Sequence, residues 1–116
     1  MTDDGPEREL ITAIGDLWQA RSPEVIADLE ALVRALLEIP EESRKTDPER
    51  LSARRDAHRL VGVLGVFGQQ EAALAVSDIE HRLASEATVD PIMLGHEAHR
   101  IASSVRKAAR DSQQRR

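Results

Sequence analysis

Side chains able to do chemistry gather around one histidine. His58 lies in Ala57-His58-Arg59-Leu60-Val61-Gly62-Val63-Leu64-Gly65-Val66-Phe67-Gly68, a segment that otherwise reads as helix yet carries Gly62 and Gly65 in its interior. An interior glycine costs a helix roughly 1 kcal/mol relative to alanine, so two close together should serve some purpose, and clearing space around His58 is one. An α-helix turns about 100° per residue, which puts neighbours three, four and seven apart on one face. By those offsets Arg54, Arg55, Val61, Gly62 and Gly65 share the face of His58. Ala53, Ala57, Leu60, Leu64 and Phe67 form a separate apolar stripe. An imidazole on a nearly flat patch offers a nucleophilic ring nitrogen, and flanking guanidinium groups favour an incoming anion.

Other constellations are weaker. His96 and His99 stand three apart with Glu97 between them, but a zinc site normally needs three or four protein ligands, cysteine is absent and His81 is the one further histidine besides His58. No metal site is therefore expected. Asp78 and Glu80 read as carboxylates solvating a helix face rather than as an acid and base pair for hydrolysis. The competing reading of His58 itself is an ordinary surface histidine. Against it, no structural need calls for Gly62 or Gly65 in mid-helix, and both fall on the histidine's face rather than on the packed one. Glycine used for tight helix packing is the remaining alternative.

His58, Leu60, Gly62, Phe67 and Gly68, followed by Ile79-Glu80, resemble the signature of histidine-containing phosphotransfer (HPt) domains, written Ala-His-x-Leu-Lys-Gly and then Phe-Gly or Leu-Gly. The similarity is clearest from about Leu51 to Leu83. It implies a phosphorelay carrier of two-component signal transduction rather than an independent enzyme. His58 would be the phosphoacceptor, taking a phosphoryl group from the aspartate of one response-regulator receiver domain and passing it to another. The partners implied are receiver domains and a hybrid histidine kinase. No cofactor is implied on this chain, since the receiver brings its own magnesium. Gly62 matches the glycine that lets a receiver reach the imidazole, and Leu60 and Phe67 match core-facing positions. Gly65 repeats the small-residue device. Within this reading Arg54, Arg55 and Arg59 steer the acidic receiver cleft while Val61, Gly62 and Gly65 provide the flat contact surface.

The chain departs from the family pattern at Val61, where many members carry a lysine that helps neutralise the phosphoryl group. Either Arg54, Arg55 or Arg59 supplies that charge, or the receiver's own cation and metal suffice, or the domain transfers phosphate poorly; the first two are favoured. The same departure supports a second reading, a helical adaptor of HPt shape that binds a receiver or kinase without accepting phosphate. A third, a bundle dimerising through its long second helix, predicts self-association whatever happens at His58.

Composition sets the bounds. With 116 residues the chain is expected to be one domain over 1–116, its core spanning about 6–110 and its basic end fraying over 111–116. Lack of cysteine fits a reducing compartment. No run approaches the ~20 apolar residues that cross a bilayer, and Met1-Thr2-Asp3-Asp4 lacks the basic and apolar regions of a signal peptide. A cytoplasmic monomer that avoids membranes is expected. The net charge is −5, with 14 acidic and 8 basic side chains in residues 1–58 against 7 and 8 in residues 59–116. That sign, and aromatic content limited to Trp18 and Phe67, disfavour nucleic acid.

The elements that must position His58 read as all-α: helical segments punctuated by proline, with no alternating β-branched run. A first helix is expected from near Pro6 to Ala20, with Leu10, Ile14, Leu17 and Trp18 toward the core. Ser22-Pro23-Glu24 reads as an N-cap with proline in the first turn of a second helix, which carries Val25, Ile26, Leu29, Leu32, Val33, Leu36 and Leu37 and stops at Pro40. Residues 40–48 read as a polar loop. A third helix restarts at Asp47-Pro48-Glu49 and ends at Gly68, and a fourth runs from about Gln69 to Ala84 with Ala72, Ala73, Val76, Ile79 and Leu83 inward. Asp90-Pro91 caps a fifth, reaching Arg110, with Ile92, Leu94, Ala98, Ile101, Ala102 and Val105 buried. The expected architecture is an antiparallel up-down four-helix bundle with an additional N-terminal helix over one end or side.

Overall fold

Residues 5–114 are described by a computed structural model and, among these residues, form four helices and no strand. They are α1 (Gly5–Leu37), α2 (Pro48–Val66), α3 (Gln70–Ala84) and α4 (Pro91–Gln114). α1 contacts α4 and α2, while α3 contacts α2 and α4, so each helix touches two others around one core. Val25, Leu29, Leu32 and Leu36 of α1 are buried there with Ala53, Ala57, Leu60 and Leu64 of α2. Ala73, Val76, Ile79 and Leu83 of α3 and Leu94, Ala98, Ala102 and Val105 of α4 complete the core. These positions recur at three and four residues, so each helix buries a single stripe. No helix among the described residues is long and apolar enough to cross a membrane.

The expected break at Ser22-Pro23 does not occur: the first two expected helices are the single helix α1, with Pro23 inside it. The additional N-terminal helix is thus the first half of α1. A proline inside a helix cannot donate to the carbonyl four residues back and typically costs about 3 kcal/mol. Here that carbonyl belongs to Gln19, and the Ser22 hydroxyl donates to it at 3.5 Å. Register supplies the rest of the explanation. Trp18, Ser22, Val25, Leu29, Leu32 and Leu36 are all buried at an unbroken spacing of fours and threes, so continuing the helix through Pro23 keeps one stripe in phase on both sides.

Trp18 is the first buried residue of α1, and its ring lies 5.4 Å from that of Phe67 at an interplanar angle of 46°. Leu10, Ile14 and Leu17, expected in the core, are exposed, because α1 runs on past the end of α2 at Phe67. The molecule is correspondingly long, 61 Å against 24 and 17 Å in the other directions. Leu37 and Ile92 are likewise exposed rather than buried, and Ala72 is half-buried.

Both expected restarts are present. Pro48 opens α2 behind Asp47, whose carboxylate accepts from the Arg44 backbone N–H at 2.9 Å. The Asp90 carboxylate accepts from the backbone N–H groups of Ile92 at 3.1 Å and Met93 at 3.2 Å, capping α4. At the end of α2, Gly68 has φ +73°, its N–H reaches the Gly65 carbonyl at 3.1 Å and Gln69 N–H reaches Leu64 at 2.9 Å. This Schellman closure needs the left-handed conformation that glycine adopts without strain. α4 continues to Gln114, and Gln19 Nε2 donates to Ser112 Oγ at 2.7 Å, so 111–114 are helical rather than frayed. Arg115, Arg116 and the acidic start Met1-Thr2-Asp3-Asp4 lie outside the described residues.

Candidate functional site

Residues Pro48–Val66 form α2 because Ala53, Ala57, Leu60 and Leu64 bury one stripe, which turns His58 outward. Its side chain is 78% exposed, yet the ring is held: Nδ1 stands 2.9 Å from Oε2 of Glu80 on α3, a carboxylate only 19% exposed. An ionised carboxylate can only accept, so Nδ1 carries the proton in this contact. In the neutral ring that leaves the lone pair on Nε2. Glu80 therefore fixes both the tautomer and the ring plane, as a carboxylate does for a catalytic or metal-bound histidine.

Around the ring, Leu51, Arg54, Arg55, His58, Arg59 and Glu80 line one open depression on the surface. Arg54, Arg55 and Arg59 are exposed and have no ion-pair or hydrogen-bond partner among the described residues. Three uncommitted guanidinium groups thus border one oriented imidazole. Such a setting suits an anionic group approaching Nε2.

The glycines answer the question their cost raises. A Cβ built on Gly62 or Gly65 would meet nothing within 4 Å, so neither is required by close helix packing. Gly95 on α4 is the contrast: a Cβ there would stand 2.6 Å from Cδ2 of Leu37. Gly62 is exposed and Gly65 half-buried, both beside His58 on α2. They leave the surface low where another molecule could reach the ring. Val61 is half-buried and packs against the core at the margin of the histidine's face.

The other candidate constellations are dispersed. Glu97, between exposed His96 and His99, accepts from Arg82 Nη1 through both carboxylate oxygens at 3.0 Å. Asp78 accepts from Arg82 Nη2 at 2.7 Å, so Asp78 and Glu80 face different partners. Hydrogen bonding to Glu97, ahead of the charges of Glu97 and Asp78, raises the Arg82 guanidinium above its ordinary value against the opposing effect of burial. His81 Nδ1 donates to the Ser77 carbonyl at 2.7 Å. Among the described residues no three His, Cys, Asp or Glu side chains gather as a metal-binding group.

Sequence reasoning missed the role of Glu80, because a contact between α2 and α3 has no signature in helical spacing. It also missed Arg50. That guanidinium is 1% exposed and donates only to carbonyls: Leu83 from Nε at 3.2 Å, Ser43 and Ala87 from Nη1 at 3.0 and 3.2 Å, and Arg82, Leu83 and Ser85 from Nη2 at 3.2, 2.9 and 3.0 Å. It closes the C-terminus of α3, where a cation also complements the helix dipole, and ties that end to the α1–α2 loop through Ser43 and to the α3–α4 loop through Ser85 and Ala87. Compared with known proteins, the chain matches no family model, no curated protein and no solved structure.

Proposed function

We propose that this chain is a histidine phosphotransfer protein, a four-helix up-down carrier of the HPt kind that accepts a phosphoryl group on His58 and hands it on within a cytoplasmic phosphorelay. The observation that carries the reading is the 2.9 Å Nδ1 contact to Glu80, which leaves Nε2 of an exposed ring as the nucleophile beside two glycines with empty space above them. A receiver's aspartyl phosphate approaches in line, with its own magnesium. The Nε2 lone pair forms the new P–N bond as the acyl phosphate P–O bond breaks, and the receiver's carboxylate leaves with that electron pair. Nδ1 keeps its proton, and Glu80 balances the positive charge the ring acquires. The reverse step charges a second receiver.

Phosphoryl transfer asks a protein for positioning and charge neutralisation more than for covalent help. Glu80 supports the first. Arg54, Arg55 and Arg59 support the second, and they take the place of the lysine that the family pattern has at Val61. Gly62 and Gly65 admit the receiver. The chain acts as a carrier, so it turns over only with its partners.

The direct test mixes the purified protein with receivers charged with radioactive phosphate, alongside a His58→Gln variant. Label that is acid-labile, alkali-stable and confined to the wild type is the expected result. Label retained by His58→Gln removes the assignment. The adaptor reading is favoured by Val61, which offers no cation where the family pattern has lysine. It predicts receiver binding without label, equally in wild type and His58→Gln.

A further inference from the structure

The projecting start of α1 offers an interface that His58 does not explain. Every residue from Gly5 to Leu17 is exposed apart from half-buried Gly15. Leu10 is 61% exposed, Ile11 70% and Leu17 55%, although α1 remains helical throughout. A helical segment of about this length is marginal in water on its own and gains stability mainly by burying an apolar face. The neighbouring helices do not provide that burial, since Trp18 meets Phe67 just beyond the end of α2.

Spacing indicates what would. Glu7, Leu10, Ile14, Leu17 and Arg21 recur at intervals of three, four, three and four, the seam of a pairing helix. Beyond Arg21 the same seam continues as Glu24 and Asp28, both exposed and charged, where α1 runs beside the rest of the molecule. Apolar character is therefore confined to the projecting part. Glu7 and Arg21 each stand seven residues from Ile14, on opposite sides. An antiparallel pairing of two such segments about Ile14 sets each Glu7 beside the other copy's Arg21. Parallel pairing would set like charges together. Arg21 is held only by an exposed contact to Glu24 at 2.7 Å, which is weak enough to exchange.

We infer that a second copy of this chain docks on the Leu10–Ile14–Leu17 face of α1, antiparallel and two-fold, with reciprocal Glu7–Arg21 ion pairs. An isologous contact of this kind closes on itself as a dimer. The pairing differs from the monomer expected from sequence and is independent of the phosphotransfer reading.

Sedimentation equilibrium of the full chain over a range of concentrations tests it. The wild type should be a dimer that dissociates on dilution, and His58→Gln should behave the same. Ile14→Glu should be monomeric with Trp18 fluorescence intact, since Ile14 is 38% exposed and the buried stripe of α1 begins at Trp18. Glu7→Arg and Arg21→Glu should each weaken association roughly tenfold, the double variant restoring it. A wild type that stays monomeric at its highest soluble concentration overturns the proposal, including the case where Ile14→Glu instead slows transfer from a receiver. A dimer indifferent to Ile14→Glu overturns it as well. If both single swaps weaken the dimer and the double variant does not recover, the antiparallel pairing is wrong.

Discussion

Arg50 and the group Arg54, Arg55, His58 and Arg59 stand within three turns of the same helix, yet one guanidinium is sealed and the others are bare. Arg50 spends its donors on the carbonyls of Ser43, Arg82, Leu83, Ser85 and Ala87 and is almost wholly buried. The three arginines near His58 have no partner among the described residues. A buried cation stabilises only when its surroundings satisfy it, whereas an exposed one adds little to stability and stays available to another molecule. One end of α2 is thus committed to holding α3 and its loops, and the middle is left uncommitted. Residue type alone does not separate a committed arginine from an available one; the partners do.

Breaking the sealed end should have the largest effect. Arg50→Leu removes the guanidinium donor from five carbonyls, of which Arg82 keeps the Ser85 N–H, and should cost about 3–5 kcal/mol in urea unfolding, enough to unfold a domain of ordinary stability. Arg50→Lys should recover little, because an ammonium cannot span acceptors that a planar fork reaches together. If Arg50→Leu unfolds within about 0.5 kcal/mol of wild type, the contrast between the two ends fails.

If His58 is the phosphoacceptor proposed above, the expected losses at the bare site are in transfer, not stability. Replacing Arg54, Arg55 and Arg59 together by Ser should leave the urea midpoint nearly unchanged, slow phosphoryl transfer and flatten its dependence on salt. Wild-type transfer with an unaltered salt dependence would show that the receiver supplies all the charge. Glu80→Gln should lower the transfer rate by roughly tenfold, about 1.4 kcal/mol, by loosening a charge-assisted hydrogen bond. Nitrogen NMR of the His58 ring distinguishes positioning from a general loss of fold. The fraction protonated at Nδ1 should drop in Glu80→Gln while the other histidines keep their shifts.

How far the sequence was legible follows from the range of the interactions. Local spacing revealed the stripes of α2, α3 and most of α4, and the Asp-Pro pairs marked where α2 and α4 begin. It also placed His58, Gly62 and Gly65 on one face. Pro23 misled because a proline after serine is a good local start signal, while the stripe from Trp18 to Leu36 that carries the helix across it is a tertiary fact. Leu10, Ile14 and Leu17 misled because a periodic apolar face says that burial is favourable, not which surface provides it. The contacts of Glu80 to His58 and of Arg50 to Leu83 were illegible for the same reason: the partners are 22 and 33 residues away and on other elements.

The smallest effects isolate the glycines. If Gly62 and Gly65 are kept for access, alanine at either should stabilise α2 by about 0.5–1 kcal/mol, since the added methyl meets no atom and the unfolded chain loses freedom. Gly95→Ala should show no such gain, because its Cβ would press on the Leu37 side chain at 2.6 Å and drive it from the surface of α4. Urea midpoints of the three single variants separate the cases. A Gly62→Ala protein that is more stable and transfers more slowly would show a residue held against its own helix propensity by the need to dock. If it is instead less stable, Gly62 answers to packing within the chain, and the open face beside His58 loses its functional meaning.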